Sequence, residues 1–203
     1  MIVIVDVNTG NLGSIRNVVH YLGHDAIISS DKDVIRQATK LILPGIGAFD
    51  TGMRTLHQYD LITTLNHKAL EEKTPVLGIC LGMQMMCTSS EESESKQQGL
   101  GWFNVPVIKF KAAHIKVPQM GWNTITITQQ IPLLKNVTPD ARFYFCHSYH
   151  ADTPDKAITA ATTDYGYAFP SVLVHNNLLG VQFHPEKSHD SGVNLLRNFL
   201  ENY

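Results

Sequence analysis

The stretch Gly78-Ile79-Cys80-Leu81-Gly82-Met83-Gln84 sets one cysteine between two glycines, each two residues away from it. The apolar run Pro75-Val76-Leu77 comes directly before it and predicts a buried β-strand, and a helical pattern follows. Where a strand turns at once into a helix, side chains beside the turn collide, and glycine removes the collision. The residue at the apex is strained, with its side chain exposed at the carboxyl end of the sheet. The sequence therefore predicts a nucleophilic Cys80 at the end of an inner strand.

The first half of the chain alternates strand-like apolar runs with helical patterns, which is typical of βαβ units and a parallel sheet. Strands are predicted over residues 2–5, 26–28, 41–43 and 76–79. Helices are predicted over residues 12–22, 31–38 and 52–72. The strands are almost wholly apolar, as expected for the inner strands of a doubly wound sheet that is covered on both faces.

Beyond residue 100 the pattern changes to short strands separated by turns. Strands are predicted over residues 105–110, 124–128, 143–146, 158–162, 172–174 and 179–183. Asn176-Asn177 predicts a hairpin turn, and a last helix is predicted over residues 192–201. We find no repeat and no linker. The prediction is an α/β fold, a single doubly wound domain over residues 1–203, with a mostly parallel central sheet and an added antiparallel region in the second half.

Composition excludes several classes of function. The 203 residues carry a formal charge of −2 with Lys and Arg scattered singly, so we expect no nucleic-acid partner. The 3 cysteines match neither a zinc ribbon nor a disulfide framework, which indicates a reducing compartment. No run reaches the ~20 apolar residues of a membrane span, and the N-terminus reaches Asp6 too early for a signal peptide. We therefore expect a cytoplasmic protein. Nucleotide-binding glycine motifs are also missing, so we expect no cofactor.

A cysteine nucleophile needs activation, because a free thiol is only a few per cent ionised at neutral pH. A helix that begins at Leu81 contributes at most about 2 kcal/mol through its dipole, so a basic partner is needed. Proline after His184 biases that residue toward an extended conformation, in which residues i and i+2 face the same side. Glu186 can then orient the His184 ring and leave its other nitrogen free for the thiol. We predict a catalytic triad of Cys80, His184 and Glu186.

Attack on a carbonyl also needs hydrogen-bond donors for the developing oxyanion. The Leu81 N–H, first in the helix, is one candidate. Glycines on both sides of Ile46 let the flanking peptides turn toward the site. We therefore predict an oxyanion hole formed by Gly45, Ile46, Gly47 and Leu81. Because these peptides can point the wrong way until a partner docks, we expect slow turnover by the chain alone.

Other reactive residue types have simpler interpretations. Cys87 is interpreted as helix core and Cys146 as a buried strand residue. His147 and His150 could bind a metal ion with Cys146, but no second ligand pair at zinc-like spacing accompanies them, so no metal site is predicted. The acidic, serine-rich segment 89–98 predicts a mobile surface loop.

Together these features resemble the triad-type, or class I, glutamine amidotransferases, and within them the glutaminase subunits of imidazole glycerol phosphate synthase. The resemblance covers nearly the whole chain. Beyond the elbow at residues 78–84, its motifs are Asp6 with residues 10–12 (GNL), and residues 43–49 (LPGIGAF), 99–101 (GLG), 116–118 (KVP), 120–123 (MGWN), 143–145 (FYF), 147–149 (HSY) and 180–188 (GVQFHPEKS). The elbow and His-Pro-Glu are shared by the wider class, whereas the Met-Gly-Trp-Asn and His-Ser-Tyr stretches are typical of this subunit family.

The resemblance implies a glutaminase. Cys80 would attack the side-chain amide of glutamine, and His184 would protonate the departing ammonia and then activate water. Gln84, whose amide can reach back toward the elbow, would hold glutamine together with Ser148 and Tyr149. A cyclase subunit would form a heterodimer with the chain and receive the ammonia through a channel, for use in histidine biosynthesis.

Two departures from the family pattern leave the acceptor of the ammonia open. The family commonly reads Asp-Tyr-Gly-x-Gly-Asn where this chain has Val7 and Asn8 after Asp6, and Gln119 stands where many members have histidine. Neither departure touches the triad, but either could alter coupling to the partner. A sibling glutaminase that feeds another synthase, such as one that makes an amidine on a sugar, is a second hypothesis. A thiol hydrolase of another ester or amide is a third, since a Cys-His-acid site does not itself specify glutamine.

Overall fold

The computed structural model describes residues 1–111 and 115–203. The strands are, in chain order, β1 (Ile2–Val5), β2 (Ala26–Ser29), β3 (Lys40–Leu43), β4 (Val76–Ile79), β5 (Ser89–Ser90), β6 (Pro106–Lys109), β7 (Gln119–Thr124), β8 (Thr126–Ile127), β9 (Arg142–His147), β10 (Tyr149–Ala151), β11 (Thr159–Asp164), β12 (Ala168–His175) and β13 (Leu178–Val181). The α-helices are α1 (Leu12–Tyr21), α2 (Lys32–Arg36), α3 (Phe49–Gln58), α4 (Ile62–Asn66), α5 (Leu81–Met86) and α6 (His189–Asn202). A π-helical turn spans His67–Glu71, and 3₁₀ turns span Pro132–Leu134 and Pro185–Lys187.

The main sheet has eight strands in the order β2-β1-β3-β4-β13-β12-β11-β8. Neighbouring strands are parallel from β2 to β13 and antiparallel from β13 to β8. Asn176-Asn177 joins β12 to β13 as predicted, and the φ of 55° at Asn176 is one that asparagine tolerates. The predicted fold class, a mostly parallel doubly wound sheet with an antiparallel addition, is confirmed.

Helices cover both faces of the parallel half of the sheet. On one face Ile4 of β1 belongs to a buried hydrophobic cluster with Ile15 of α1 and Phe199 of α6. On the other face Val5 belongs to a second cluster with Met53 of α3. Because successive side chains of a strand point to opposite faces, strands covered on both sides are apolar throughout. Within the described residues, no helix has the length and apolar character needed to cross a membrane.

The single helix predicted over residues 52–72 is wrong. α3 ends at Gln58, and a second helix, α4, starts after a turn. Asp60 has a φ of 53°, and the next N–H, that of Leu61, donates to the carbonyl of Leu56. This hydrogen-bond pattern around a left-handed residue closes a helix. The apolar periodicity hid the break because Leu56 and Leu61 belong to the same hydrophobic cluster.

The strand predicted over residues 124–128 is confirmed only in part, because β8 (Thr126–Ile127) lies within it, whereas β7, which ends at Thr124, is not predicted by the sequence. β7 pairs with β9 along its full length. Its apolar side chains Met120 and Trp122 are 65% and 52% exposed. A strand whose apolar residues face outward and are separated by polar residues and glycine has no buried run to reveal it.

The mobile surface loop predicted over residues 89–98 is wrong for its first part. Ser89 and Ser90 form β5, which pairs with β6, and Ser90 is buried. The Asp50 carboxylate accepts hydrogen bonds from the backbone N–H and the hydroxyl of Ser95 at 3.2 and 2.8 Å. A polar composition predicts exposure to water, but here the partners are polar groups at the start of α3.

Candidate active site

The carboxyl ends of three adjacent parallel strands meet at one edge of the sheet. β3 leads into residues 44–48, β4 leads into Cys80, and β13 leads through two residues to His184. Ligand sites of open α/β sheets form at this edge. The topology therefore brings together three segments that lie far apart in the sequence.

Cys80 occupies the strained apex that the sequence predicts, with φ 52° and ψ −109°. A Cβ on Gly78 would lie 2.8 Å from backbone atoms of Met83 in α5, so glycine lets the helix fold back on its own strand. A Cβ on Gly82 would lie 1.7 Å from the carbonyl oxygen of Leu43. The close approach at Gly82 is therefore to the neighbouring strand β3. The prediction that both collisions occur within the strand and helix of the turn is wrong on this point.

His184 lies next to the sulfur and is 3% exposed. Its Nδ1 is 2.9 Å from Oε1 of Glu186, and its ring lies close enough to Cys80 to interact with the charge on the sulfur. Burial by itself lowers the pKa of His184, but the thiolate of Cys80 and the carboxylate of Glu186 outweigh it and raise that pKa to about 10. The arrangement therefore favours the imidazolium form of His184 at neutral pH.

Glu186 reaches the ring by a different path from the one predicted. His184 is extended, with φ −101° and ψ 94°, but Pro185–Lys187 then forms a 3₁₀ turn. The contact between the two side chains is thus made across a turn, whereas the prediction assumed a continuing extended chain. Oε2 of Glu186 is buried without a hydrogen-bond partner among residues 1–111 and 115–203.

A cavity of about 350 Å³ opens at Cys80. The predicted residues that line it are Ile46, Gly47, Cys80, Leu81, Gln84, Ser148 and Tyr149. The other lining residues are Ala48, Glu92, Pro118, Cys146 and His147. Of the remaining predicted residues, Gly45 packs beneath the wall, and His184 and Glu186 are buried beside the sulfur. The cavity falls in the size range of small-ligand sites.

The loop predicted to supply oxyanion donors is held at one end and open at the other. A Cβ on Gly45 would lie 3.0 Å from Cβ of Leu81, so this end packs against the start of α5. Gly47 has a φ of 102° and no atom of the described chain within 4 Å of where a Cβ would be, and Ile46 is 41% exposed. The loop that carries the Val7 departure lies alongside, since a Cβ on its Gly10 would be 3.5 Å from the Gly45 nitrogen.

The backbone carbonyl of Tyr149 is held by two side chains of the cavity wall. It accepts a hydrogen bond from Nε2 of Gln84 at 3.0 Å and one from Nδ1 of His147 at 2.7 Å. Burial lowers the pKa of His147 to about 3, so the ring is neutral and its Nε2 is an acceptor. Oε1 of Gln119 is placed 3.0 Å from that nitrogen, so the Gln119 amide has to turn its NH₂ group toward His147 to donate a hydrogen bond. The second family departure therefore sits behind the cavity wall as a partner of His147.

Glu92 is an acidic residue of the cavity lining that the sequence does not single out. Its Oε2 accepts a hydrogen bond from the backbone N–H of Phe49, the first residue of α3, at 2.8 Å. Burial and then the nearby charge of Asp50 raise the pKa of Glu92, against that hydrogen bond. No sequence pattern distinguishes Glu92 from the neighbouring acidic residues Glu91 and Glu94.

The two other cysteines differ in their surroundings. Cys87 is fully buried as predicted, and burial raises its pKa to about 12. The prediction that Cys146 is buried is wrong, because it is half-buried and lines the cavity. Phe143 and Phe145 of the same strand fill the core, and alternation along β9 turns Cys146 to the opposite side.

A sequence model of the family described as glutamine amidotransferase class-I matches residues 3–203. The chain belongs to the class-I glutamine amidotransferase family. Among its amidotransferase relatives, imidazole glycerol phosphate synthase subunit HisH 2 of Methanococcus maripaludis is 48% identical over 202 residues, which is 99% of each chain. Subunit HisH 1 of the same organism is 42% identical over 203 residues, again 99% of each chain.

A solved structure of an amidotransferase shows the same fold. The crystal structure is described as a glutamine amidotransferase and matches with a TM-score of 0.76 at 19% sequence identity. The match covers 98% of this chain and 97% of the other. The doubly wound sheet with its antiparallel addition is therefore an architecture already seen in this enzyme class.

Proposed function

We propose that this amidotransferase is the glutaminase subunit of an imidazole glycerol phosphate synthase. The observation that carries the proposal is the convergence of Cys80, His184 and Glu186 at one cavity of an amidotransferase fold. The geometry supports a class-I glutaminase. Relatives that match over nearly the whole chain and are named HisH support the specific synthase.

In the proposed reaction the Cys80 thiolate attacks the side-chain amide carbon of glutamine and forms a tetrahedral intermediate. The N–H of Leu81 and a peptide of the loop at Gly45, Ile46 and Gly47 stabilise its oxyanion. The His184 imidazolium gives its proton to the amide nitrogen, and ammonia leaves.

A γ-glutamyl thioester then remains on the sulfur. The neutral His184 ring takes a proton from a water molecule, whose oxygen attacks the thioester carbon. Glutamate leaves, and the thiolate and the imidazolium are restored. Glu186 orients the ring through its hydrogen bond to Nδ1 in both steps.

The cavity wall provides polar groups for both ends of glutamine. We assign Gln84, Ser148 and Tyr149, which line the cavity, to holding the substrate. Glu92 adds a carboxylate, and its charge suits the α-ammonium group. Among the described residues the wall carries no Lys or Arg, so the α-carboxylate is expected to bind amide and backbone N–H groups.

We further propose that a cyclase subunit forms a heterodimer with this chain in the cytoplasm and receives the ammonia. Ile46 at the cavity is 41% exposed, and Met120, which is paired with Cys146 of the cavity lining, is 65% exposed. Exposed apolar groups at the rim of a site are typical of interaction surfaces. Docking there would also orient the peptides around Ile46.

The test is to assay glutamate formation from glutamine with the chain alone and with the cyclase subunit from the same organism. We expect slow turnover alone and an increase of about 100-fold with the cyclase and its ribonucleotide substrate, as one oxyanion donor accounts for a change of this size. A glutamine-like chloroketone should label Cys80, and Cys80→Ala should be inactive in both assays.

Each result has a separate meaning. Failure of the chloroketone to label Cys80 would contradict the glutaminase assignment. Fast turnover without a partner would contradict the role of the loop around Ile46. Turnover that the cyclase does not stimulate would contradict the assigned acceptor.

A sibling glutaminase for another synthase is the second candidate. The chain is 48% identical to HisH 2 but 42% identical to HisH 1 of Methanococcus maripaludis, an organism with two such subunits. A second copy can serve a different acceptor. Stimulation of glutamine turnover by a sugar-amidinating synthase, and not by the cyclase, would favour this candidate.

A further inference from the structure

Gln182 is a buried amide that the mechanism above does not use. Its side chain is 0% exposed, and its Nε2 lies 3.7 Å from Sγ of Cys80. It follows the last residue of β13 and stays tied to β12, because its backbone N–H donates to the carbonyl of Ser171 at 2.9 Å. A Cβ on Gly180 would lie 2.4 Å from the side chain of Met83, so this face of β13 is covered by α5. Gln182, two residues on, faces the same helix.

The direction of the Gln182 amide is set by a chain of hydrogen bonds. The Tyr149 carbonyl can only accept, and Nε2 of Gln84 lies 3.0 Å from it. The same Gln84 nitrogen lies 3.2 Å from Oε1 of Gln182. The oxygen of Gln182 is thereby engaged, and its NH₂ group is turned to the sulfur. If the amide of Gln182 were reversed, two NH₂ groups would face each other and a carbonyl oxygen would face the thiolate.

A donor in this position acts on the charge of the nucleophile. Burial disfavours a thiolate unless hydrogen bonds or a nearby positive charge compensate. Hydrogen bonds to an ionised acceptor are stronger than those to a neutral one, so an N–H aimed at the sulfur stabilises the thiolate more than the thiol. His184 supplies the positive charge, and Gln182 supplies a neutral donor from the end of β13.

We propose that Gln182 is a catalytic residue whose side-chain N–H stabilises the Cys80 thiolate, and that Gln84 orients it through the Tyr149 carbonyl. The proposal rests on the glutaminase function proposed above. It also makes Gln84 a link between the substrate cavity and the nucleophile, since Gln84 lines the one and orients the donor to the other.

The experiment measures the pH dependence of Cys80 alkylation by iodoacetamide, read by mass spectrometry of the Cys80 peptide. Gln182→Met keeps the length of the side chain and removes the donor. We expect the pH midpoint of alkylation to rise by about one unit, on the scale of one hydrogen bond to a charged group. In the glutaminase assay kcat should fall about tenfold at a pH below the midpoint, with little change in KM for glutamine.

Gln119→Met is the matched control, because Gln119 is also a buried amide, 3% exposed, but its partner is His147. Its alkylation midpoint should equal that of the wild type. An unchanged midpoint in Gln182→Met, or an equal shift in Gln119→Met, would overturn the proposal.

A second measurement covers the case in which Gln182→Met does not fold. In ¹⁵N-labelled wild type, the side-chain amide protons of Gln182 should titrate with the midpoint of Cys80 alkylation and lose this dependence in Cys80→Ala. Amide protons that do not respond to pH would overturn the proposal. Alkylation requires no glutamine, so an inactive wild type with the expected midpoints would contradict the proposed function alone.

Discussion

The inner and outer walls of the cavity are held in place by different kinds of contact. The inner wall, residues 78–84, is positioned by backbone contacts so close that Gly78 and Gly82 leave no room for a Cβ. The outer wall, residues 45–48 with Glu92, packs against Leu81 at Gly45 and is hydrogen-bonded to the start of α3 through Glu92, but Gly47 faces open space within the described chain. Cys80, the proposed nucleophile, is thus rigidly placed before any partner binds, while the loop proposed to supply oxyanion donors is free to adjust.

The largest effect should come from the histidine beside the inner wall. His184→Gln removes the base and the positive charge, and kcat for glutamine should fall about 10³-fold or more, as for other triads. Glutamate formation in the presence of the cyclase measures it. The exposed His20, replaced in the same way, should leave kcat unchanged. A loss of less than tenfold would show that His184 is not the catalytic base beside the rigid inner wall.

The next prediction compares the stability cost of an added methyl group at a close contact, Gly82, with its cost in open space, Gly13. Gly82→Ala would place a Cβ 1.7 Å from the Leu43 oxygen, and the free energy of unfolding should fall by about 3 kcal/mol or more. At Gly13 in α1 no atom of the described chain lies within 4 Å of where a Cβ would be, so Gly13→Ala should be neutral or stabilising by about 0.5–1 kcal/mol. Urea denaturation of both variants tests this, and equal stabilities would refute it.

Gly47→Ala examines the outer wall. Its φ of 102° disfavours alanine by about 1–3 kcal/mol, but the added methyl meets no described atom, so stability should fall less than in Gly82→Ala. Because the peptide beside Gly47 is a proposed oxyanion donor, kcat with the cyclase should fall about tenfold or more. Denaturation and steady-state kinetics give the two values. A loss of stability equal to that of Gly82→Ala would remove the distinction between the walls.

The smallest effect concerns pH and His147, which holds the Tyr149 carbonyl in the cavity wall. Burial lowers the pKa of His147 from 6.5 to about 3, so below pH 6.5 the unfolded chain takes up a proton that the folded chain refuses. This contribution to stability is complete above pH 6.5 and should be lost by up to about 1.4 kcal/mol per pH unit as the pH falls toward 3. The pKa of His184 is raised from 6.5 to about 10, so its contribution to stability is complete below pH 6.5 and is lost only as the pH rises above that value.

The measurement is the free energy of unfolding between pH 6.5 and about 5, before most carboxylates titrate. Burial also lowers the pKa of His150, so the comparison is between the wild type and His147→Gln. The variant should show a shallower slope. Identical slopes would mean that His147 does not remain neutral in the folded chain.

Features that depend on neighbours in the sequence could be predicted. The strained apex at Cys80 follows from the glycines on either side of it, and the hairpin turn follows from Asn176-Asn177 alone. The fold class followed from apolar periodicity. The contact between His184 and Glu186 is local as well, although it is made across a 3₁₀ turn that the pattern did not indicate.

Features that depend on contacts between distant segments could not be predicted. In the sequence Glu92 does not differ from other acidic loop residues, and its position is set by the hydrogen bond that its carboxylate accepts from the N–H of Phe49. The orientation of Gln182 depends on a carbonyl of β10 and on an amide of α5. The exposure of Cys146 likewise depends on which side of β9 meets the core.

The sequence by itself determined the doubly wound architecture of the sheet, the strained turn at Cys80 and the local pairing of His184 with Glu186, because steric limits and apolar periodicity act over a few residues. Only the tertiary structure decided which polar groups face the cavity, which amide points at the sulfur and which wall is rigid. Those outcomes depend on burial and on hydrogen-bond partners, and both are created when segments far apart in the chain pack against one another.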